Sequence, residues 1–252
     1  MSETAPTTRL MLGSLVRADL LVLVKGRRSI VVGLLLPLWI LFITNGHKGT
    51  QTMGGSYYII GIAVAYGLAT FGLMGYATRV ARDRDTGVLQ RLRVTPAPSW
   101  MVMGSRLLAQ GVANLVVSLV VVVVGASMHH LHPSLGQYVL VLLASTLGGA
   151  VFLAIGQAVV GLVRSADAVN AVGRVLLVAL IFLGLFGASG VLGSTWESIS
   201  RWSPVGCVMT VYAGVLDLSA WGSTQWLAVL SCAGYVGVMG AVGVRWFRWQ
   251  ST

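Results

Sequence analysis

Six stretches of the chain stay apolar long enough to cross, or nearly cross, a bilayer, and polar segments separate them. A helix needs about 20 residues to span about 30 Å of hydrocarbon. The first stretch, Ile30 to Thr44, reads IVVGLLLPLWILFIT; it is short unless Ser29 and Asn45 extend it, and Pro37 sits inside it. The others are Tyr57 to Ala77, Met101 to Ala126 with a valine run at 120–124, Tyr138 to Val163, Ala168 to Ala188 and Trp226 to Phe247. The pattern predicts an all-α polytopic membrane protein with six transmembrane helices. Nothing left between them approaches an independent soluble domain of about 100 residues. Residues 1–252 therefore read as a single transmembrane domain.

Three polar or mixed segments add to this outline. Residues 9–25 carry Arg9, Arg17 and Lys25 near one side, with Leu12, Leu15, Leu20 and Leu23 in the apolar remainder, and Asp19 interrupts the period. This suits a helix lying flat at the membrane interface, with a continuous long first span as the alternative. Its charges and the polar Met1–Thr8 speak against a signal peptide. The segment 188–225 holds Trp196, Trp202, Tyr212 and Trp221, together with Glu197, Arg201 and Asp217; its 204–218 portion is too short for a seventh span. A short interfacial or re-entrant helix is expected there, with its aromatics as boundary anchors. The third segment, Arg79 to Trp100, is the most charged in the chain. Thr86 can cap a short helix over Gly87 to Arg93, with Val88, Leu89 and Leu92 as an apolar stripe and Thr95, Pro96 and Pro98 as its stop.

Composition agrees with the pattern. Of 252 residues, 56% are hydrophobic and 10% charged, and the mean hydropathy is +0.84. A soluble domain carries about 25% charged residues, so an ordinary soluble enzyme and a disordered chain are excluded. The two cysteines, Cys207 and Cys232, do not make a disulfide framework.

The net charge of +10, from 17 basic and 7 acidic residues, changes the picture more. With six spans both termini share a side. The N-terminal segment, the 79–106 region, Arg164, Arg174, Arg245 and Arg248 then place 15 of the 17 basic residues there, leaving Lys48 and Arg201 opposite. The positive-inside rule puts the basic side in the cytoplasm. The expected location is the cell (plasma) membrane, multi-pass, with both termini cytoplasmic. The basic excess is a sidedness label, and nucleic acid is not needed to explain it.

The run Arg82-Asp83-Arg84-Asp85-Thr86-Gly87-Val88-Leu89-Gln90-Arg91-Leu92-Arg93-Val94-Thr95-Pro96 resembles the cytoplasmic loop of ABC-2 type exporter permeases, in particular the drug-resistance, daunorubicin-type branch. Gly87, Leu89, Leu92 and Arg93 to Pro96 match closely; Asp85 stands where Glu is commoner, Val88 for Thr and Gln90 for Glu. Asp167 to Gly190 resembles the family's fifth span, and Trp202-Ser203-Pro204-Val205-Gly206 its outer segment, with Ser203 for Asn. The resemblance covers nearly the whole chain. It implies an elbow helix at 9–27, a coupling helix in the 79–99 loop and an outer segment at 188–225. It implies two permeases side by side, this chain paired with itself or with a homologue, among membrane lipids. A cytosolic ATPase subunit would bind beneath them. Contact with that ATPase would fall on Asp83, Asp85, Thr86, Gly87, Val88, Leu89, Gln90, Leu92, Arg93, Thr95 and Pro96. The implied cargo is a hydrophobic or amphipathic small molecule, antibiotics included; a lipid or glycan is the alternative.

No G-x-x-x-x-G-K-[ST] run occurs, and Gly46-His47-Lys48-Gly49-Thr50 lacks the spacing. The chain is expected to hold no catalytic site, cofactor or metal; ATP and Mg2+ would belong to the partner ATPase. A secondary transporter or a membrane enzyme remain alternatives, but no Asp, Glu or Lys lies near the centre of a span. Asn170 and Arg174 share a helix face and are candidates for a cavity or subunit interface, against snorkelling of Arg174 to the headgroups. His129, His130 and His132 beside Pro133 read as a polar turn rather than a metal site. The 32 glycines, Gly61, Gly72, Gly148 and Gly156 among them, are expected at close helix contacts.

Overall fold

The computed structural model describes residues 8–25, 27–45, 55–88, 99–188 and 193–246, and within them the regular structure is helical. In chain order the helices are α1 (Thr8–Lys25), α2 (Arg27–Ile43), α3 (Ser56–Leu68), a π-helical segment (Ala69–Gly75) and α4 (Tyr76–Asp85). There follow α5 (Ser99–Met128), α6 (Leu135–Leu162), α7 (Ala166–Ala188), α8 (Ser194–Trp202), α9 (Pro204–Leu216) and α10 (Ser223–Arg245), with a 3₁₀ turn at Leu218–Ala220.

Among the described residues, five helical stretches are long and apolar enough to cross a membrane: Ser56–Asp85, Met101–Met128, Leu135–Leu162, Ala166–Gly187 and Ser223–Arg245. The protein is an all-α polytopic membrane protein. The remaining stretch, the first in chain order, corresponds to α2, which runs through Pro37 without a break. Its 17 residues give about 26 Å at 1.5 Å per residue, somewhat short of the hydrocarbon thickness.

The second stretch departs from expectation. The helix, which includes the π segment, does not end at Ala77 but continues along α4 to Asp85, 30 residues in all. Such a helix is about 45 Å long, about 15 Å more than the hydrocarbon needs. Residues 79–85, read as part of a loop, are its last two turns, because no glycine or proline interrupts the chain before Gly87. At the end of α4 the Thr86 hydroxyl donates to the Arg82 carbonyl at 2.9 Å, and Gly87 follows with φ +72°. Thr86 thus closes the preceding helix instead of opening the next, and Gly87 supplies the left-handed residue that helix ends favour.

α3 forms the centre of the bundle. Every residue from Ile59 to Leu68 is buried, and α3 packs on α2, α5 and α9. Small residues permit this proximity where burial from lipid gives little gain. A Cβ on Gly61 would stand 2.9 Å from the Met209 carbonyl oxygen, and one on Gly156 would stand 3.1 Å from those of Gly72 and Leu73. α10 packs mainly on α6 and α9. By contrast α7 and α10 are largely uncovered within the chain, showing Val175, Val178, Phe182, Leu230 and Val238.

α8 and α9 form a helical hairpin. Its turn is set by Ser203, whose hydroxyl accepts from Gly206 N at 3.1 Å, and by Pro204 in the first turn of α9. The Tyr235 hydroxyl donates to the Trp202 carbonyl at 2.9 Å, so the turn lies about 18 Å along α10 from Ser223. α9 then returns until Gln137 Nε2 donates to the Leu216 carbonyl at 2.8 Å. Val205 to Leu216 are all buried. Tyr212, expected as a boundary anchor, is fully enclosed instead, because its hydroxyl has two serine partners inside the bundle.

Candidate functional site

Arg84 and Asp85 end α4 at the level where α6 stops and α7 begins. A helix leaves its last four carbonyls and first four N–H groups without internal partners. Arg84 supplies a donor to one of the first set and to two carbonyls of the turn beyond it. Its Nη1 donates to the Val160 carbonyl at 3.0 Å, and its Nη2 to those of Val163 and Arg164 at 3.0 and 2.6 Å. Asp85 supplies an acceptor to the second set: Ala166 N donates to Asp85 Oδ2 at 2.7 Å. The two carboxylate and guanidinium groups stand 3.7 Å apart. Arg84 is 2% exposed, whereas Asp85 remains open to water. Together they grip the α6–α7 turn by its backbone.

Asp83 faces a different neighbour. Its Oδ2 is 2.6 Å from Arg106 Nη1 on α5, and one residue earlier on α5 the Ser105 hydroxyl donates to Asp19 Oδ2 on α1 at 2.8 Å. α1, α5, α4, α6 and α7 are thereby joined by polar contacts at one end of the bundle. Asp19 is the tie between α1 and α5, which explains the charge that broke the apolar period of α1.

The sequence-predicted residues fall into three groups. Asp83 and Asp85 are turned back onto the bundle's own helices. Thr86 and Gly87 close α4, and Val88 is exposed. Leu89, Gln90, Leu92, Arg93, Thr95 and Pro96 lie outside the described residues. On α7, Asn170 is half-buried and Arg174 exposed, both on the largely uncovered helix and away from the grip on the α6–α7 turn.

Sequence reading missed a polar row on α5. Arg106, Gln110, Asn114 and Ser118 recur every fourth residue, and the last three are buried. Gln110 Nε2 donates to the Phe71 carbonyl at 2.9 Å, satisfying an acceptor in the π segment. Ser118, Ser145 and Tyr212 form a closed triangle of hydroxyls, 2.5 to 2.8 Å apart, joining α5, α6 and α9. The four-residue spacing was the available signal.

The ABC-2 type transporter profile matches residues 11–216. The chain belongs to the ABC-2 type transporter family. The match runs from α1 to the end of α9 and so includes both the grip on the α6–α7 turn and the hairpin. The chain is also 20% identical over 224 residues to YvfS of Bacillus subtilis (strain 168), whose name proposes a transport permease; 87% of this chain and 89% of YvfS are covered. As an ABC-2 permease it is a non-catalytic membrane component of a transporter. Among the described residues no three His, Cys, Asp or Glu side chains are grouped to hold a metal. The ABC-2 permease uses His129 and His130 to turn the chain after α5, with His130 at φ +54°. Burial, and then His130, hold His129 below the usual imidazole range.

Proposed function

We propose that this ABC-2 permease is the transmembrane subunit of an ATP-driven exporter for hydrophobic or amphipathic small molecules, antibiotics included. The grip of Arg84 and Asp85 on the α6–α7 turn is the observation that carries this reading. It couples the segment expected to meet the ATPase to two helices that cross the membrane. A cytosolic ATPase subunit binds the chain from Thr86 to Pro96, just past the carboxylates Asp83 and Asp85 that fix the end of α4, holds ATP and Mg2+, and pushes on α4 as it closes. α1 acts as the interfacial elbow that braces α5. α2 completes six spans, and both termini face the cytoplasm. The exposed faces of α7 and α10, with Asn170 and Arg174, meet a second permease and lipid. The α8–α9 hairpin is re-entrant from outside and closes the exit. The drug-resistance branch, with antibiotic efflux as its task, is the finer assignment we favour. Lipid translocation is the runner-up, favoured over glycan by a polar cavity beside an apolar groove near α8.

The test is reconstitution with a cytosolic ABC ATPase subunit from the same organism. Copurification, vanadate-sensitive ATP hydrolysis and ATP-dependent movement of an amphipathic dye in vesicles are expected. Transport by the permease alone, driven by an ion gradient without ATP, would overturn the reading.

A further inference from the structure

At the end of the bundle far from Arg84, a cavity of about 490 Å³ opens between the α8–α9 hairpin, the start of α3 and the first turn of α10. Hydrogen-bond donors reach it from two elements. Ser223, Thr224 and Gln225 begin a 23-residue helix, so their N–H groups have no intrahelical acceptor. Gly222 at the cap has no side chain to cover them. Gln225 lines the cavity although it is only 9% exposed. Its Oε1 accepts from Gly222 N at 2.9 Å, and its Nε2 has no partner among the described residues. Arg201, on α8, also lines the cavity, and at this end it is the only basic residue among those described. Its Nη2 donates to Glu197, the one carboxylate in the lining, at 2.6 Å, so the pair carries no net charge and Arg201 offers the cavity its remaining N–H donors. The helix start adds the partial positive charge of its dipole.

A second space lies across the α7–α8 seam from the first, where Ser200 packs on Gly187. It is a groove of about 310 Å³ lined by Phe182, Phe186 and Trp196. The two phenyl rings stack 5.4 Å apart and 9° from parallel. Donors thus converge in one compartment, and aromatic surface is exposed in the next. A small inorganic anion would use the cavity only, and a hydrocarbon the groove only.

We infer that the two compartments form one binding site for an amphipath with a phosphate or carboxylate head. The head sits against Ser223 N, Thr224 N, Gln225 and Arg201, and the tail lies along Phe182, Phe186 and Trp196. The same chemistry belongs to an anionic membrane lipid and to an amphipathic anion arriving as cargo. The site rests on the proposed permease function only for its place at the outer leaflet; binding itself needs no ATPase.

The test uses the full chain alone, in lipid nanodiscs. Photoactivatable phosphatidylglycerol is expected to label peptides within 179–225, and dodecyl phosphate to compete. Arg201→Ala and Gln225→Leu should each weaken labelling about tenfold, the loss of one hydrogen bond to a charged head. Arg201 is exposed, so its variant keeps the fold even if Gln225→Leu lowers the melting temperature. Phosphatidylglycerol copurifying with the wild type and lost in Arg201→Ala would identify a resident lipid. Competition by dodecyl phosphate without a copurifying lipid would identify an exchanging amphipath. Unchanged labelling in Arg201→Ala, or equal labelling by photoactivatable diacylglycerol, which lacks the anionic head, would overturn the site. Competition by inorganic phosphate as strong as by dodecyl phosphate would remove the groove from it. Failure of ATP-driven transport with these binding results intact would count against the exporter reading and leave the site standing.

Discussion

At the scale of single residues, Arg84 is the position with most at stake. One buried guanidinium serves three carbonyls at the end of α6. Arg84→Ala orphans all three, and a destabilisation of about 3 kcal/mol is expected from unmet backbone acceptors. Arg84→Lys keeps the charge but replaces a planar fork with a point donor, and should recover less than half of that loss. Thermal unfolding in detergent measures both. If Arg84 also transmits motion, the lysine variant retains ATP hydrolysis in the complex while transport per ATP falls. Equal loss of both activities would leave Arg84 a purely structural cap. Nothing in the sequence separated Arg84 from Arg82, two residues away; Arg82 is exposed and Arg84 buried. Which arginine turns inward depends on where the α6–α7 turn packs, and that is a tertiary fact.

At the scale of elements, the long helix from Ser56 to Asp85 organises the bundle. Its apolar centre was legible, because ten consecutive buried residues read as a span in any frame. Its end was not, because charge was taken to mean loop, whereas arginine and alanine are good helix formers beyond the bilayer. The π segment was also hidden. It is set by the neighbours, Gln110 holding the Phe71 carbonyl and α6 approaching at Gly156. Glycine counts suggested close contacts without locating them. Gly156→Val should therefore act on packing, driving a branched side chain into the Gly72 and Leu73 carbonyls. A loss of folded, monodisperse protein in size-exclusion chromatography is expected. Gly104→Val, where a Cβ meets nothing within 4 Å, is the matched control and should be recovered normally.

At the scale of the whole molecule, the two ends of the bundle differ in charge. Arg82, Arg84, Arg106, Arg164 and Arg245 mark one, and Arg201 the other. This asymmetry was fully legible, since sidedness needs only the order of spans and charges. The endogenous Cys207 and Cys232 are buried, so single introduced cysteines report location cleanly. His132→Cys should react with a membrane-impermeant maleimide on intact cells. Arg82→Cys should react only after permeabilisation. The reverse pattern would invert the orientation. The α8–α9 hairpin was legible as a short segment but not as a hairpin. Its burial depends on Tyr212 meeting Ser118 and Ser145, residues far apart in sequence.

The grip at the α6–α7 turn recognises main chain only. Val160, Val163 and Arg164 contribute carbonyls, so the contact itself sets no demand on their side chains, although core packing still constrains Val160. Correlated substitution between positions 84 and 160–164 is therefore not to be looked for in homologues. The constraint falls on spacing: the count of residues between the end of α6 and the start of α7 is what natural selection can see. Insertions and deletions there, rather than replacements, are the changes that evolution must avoid.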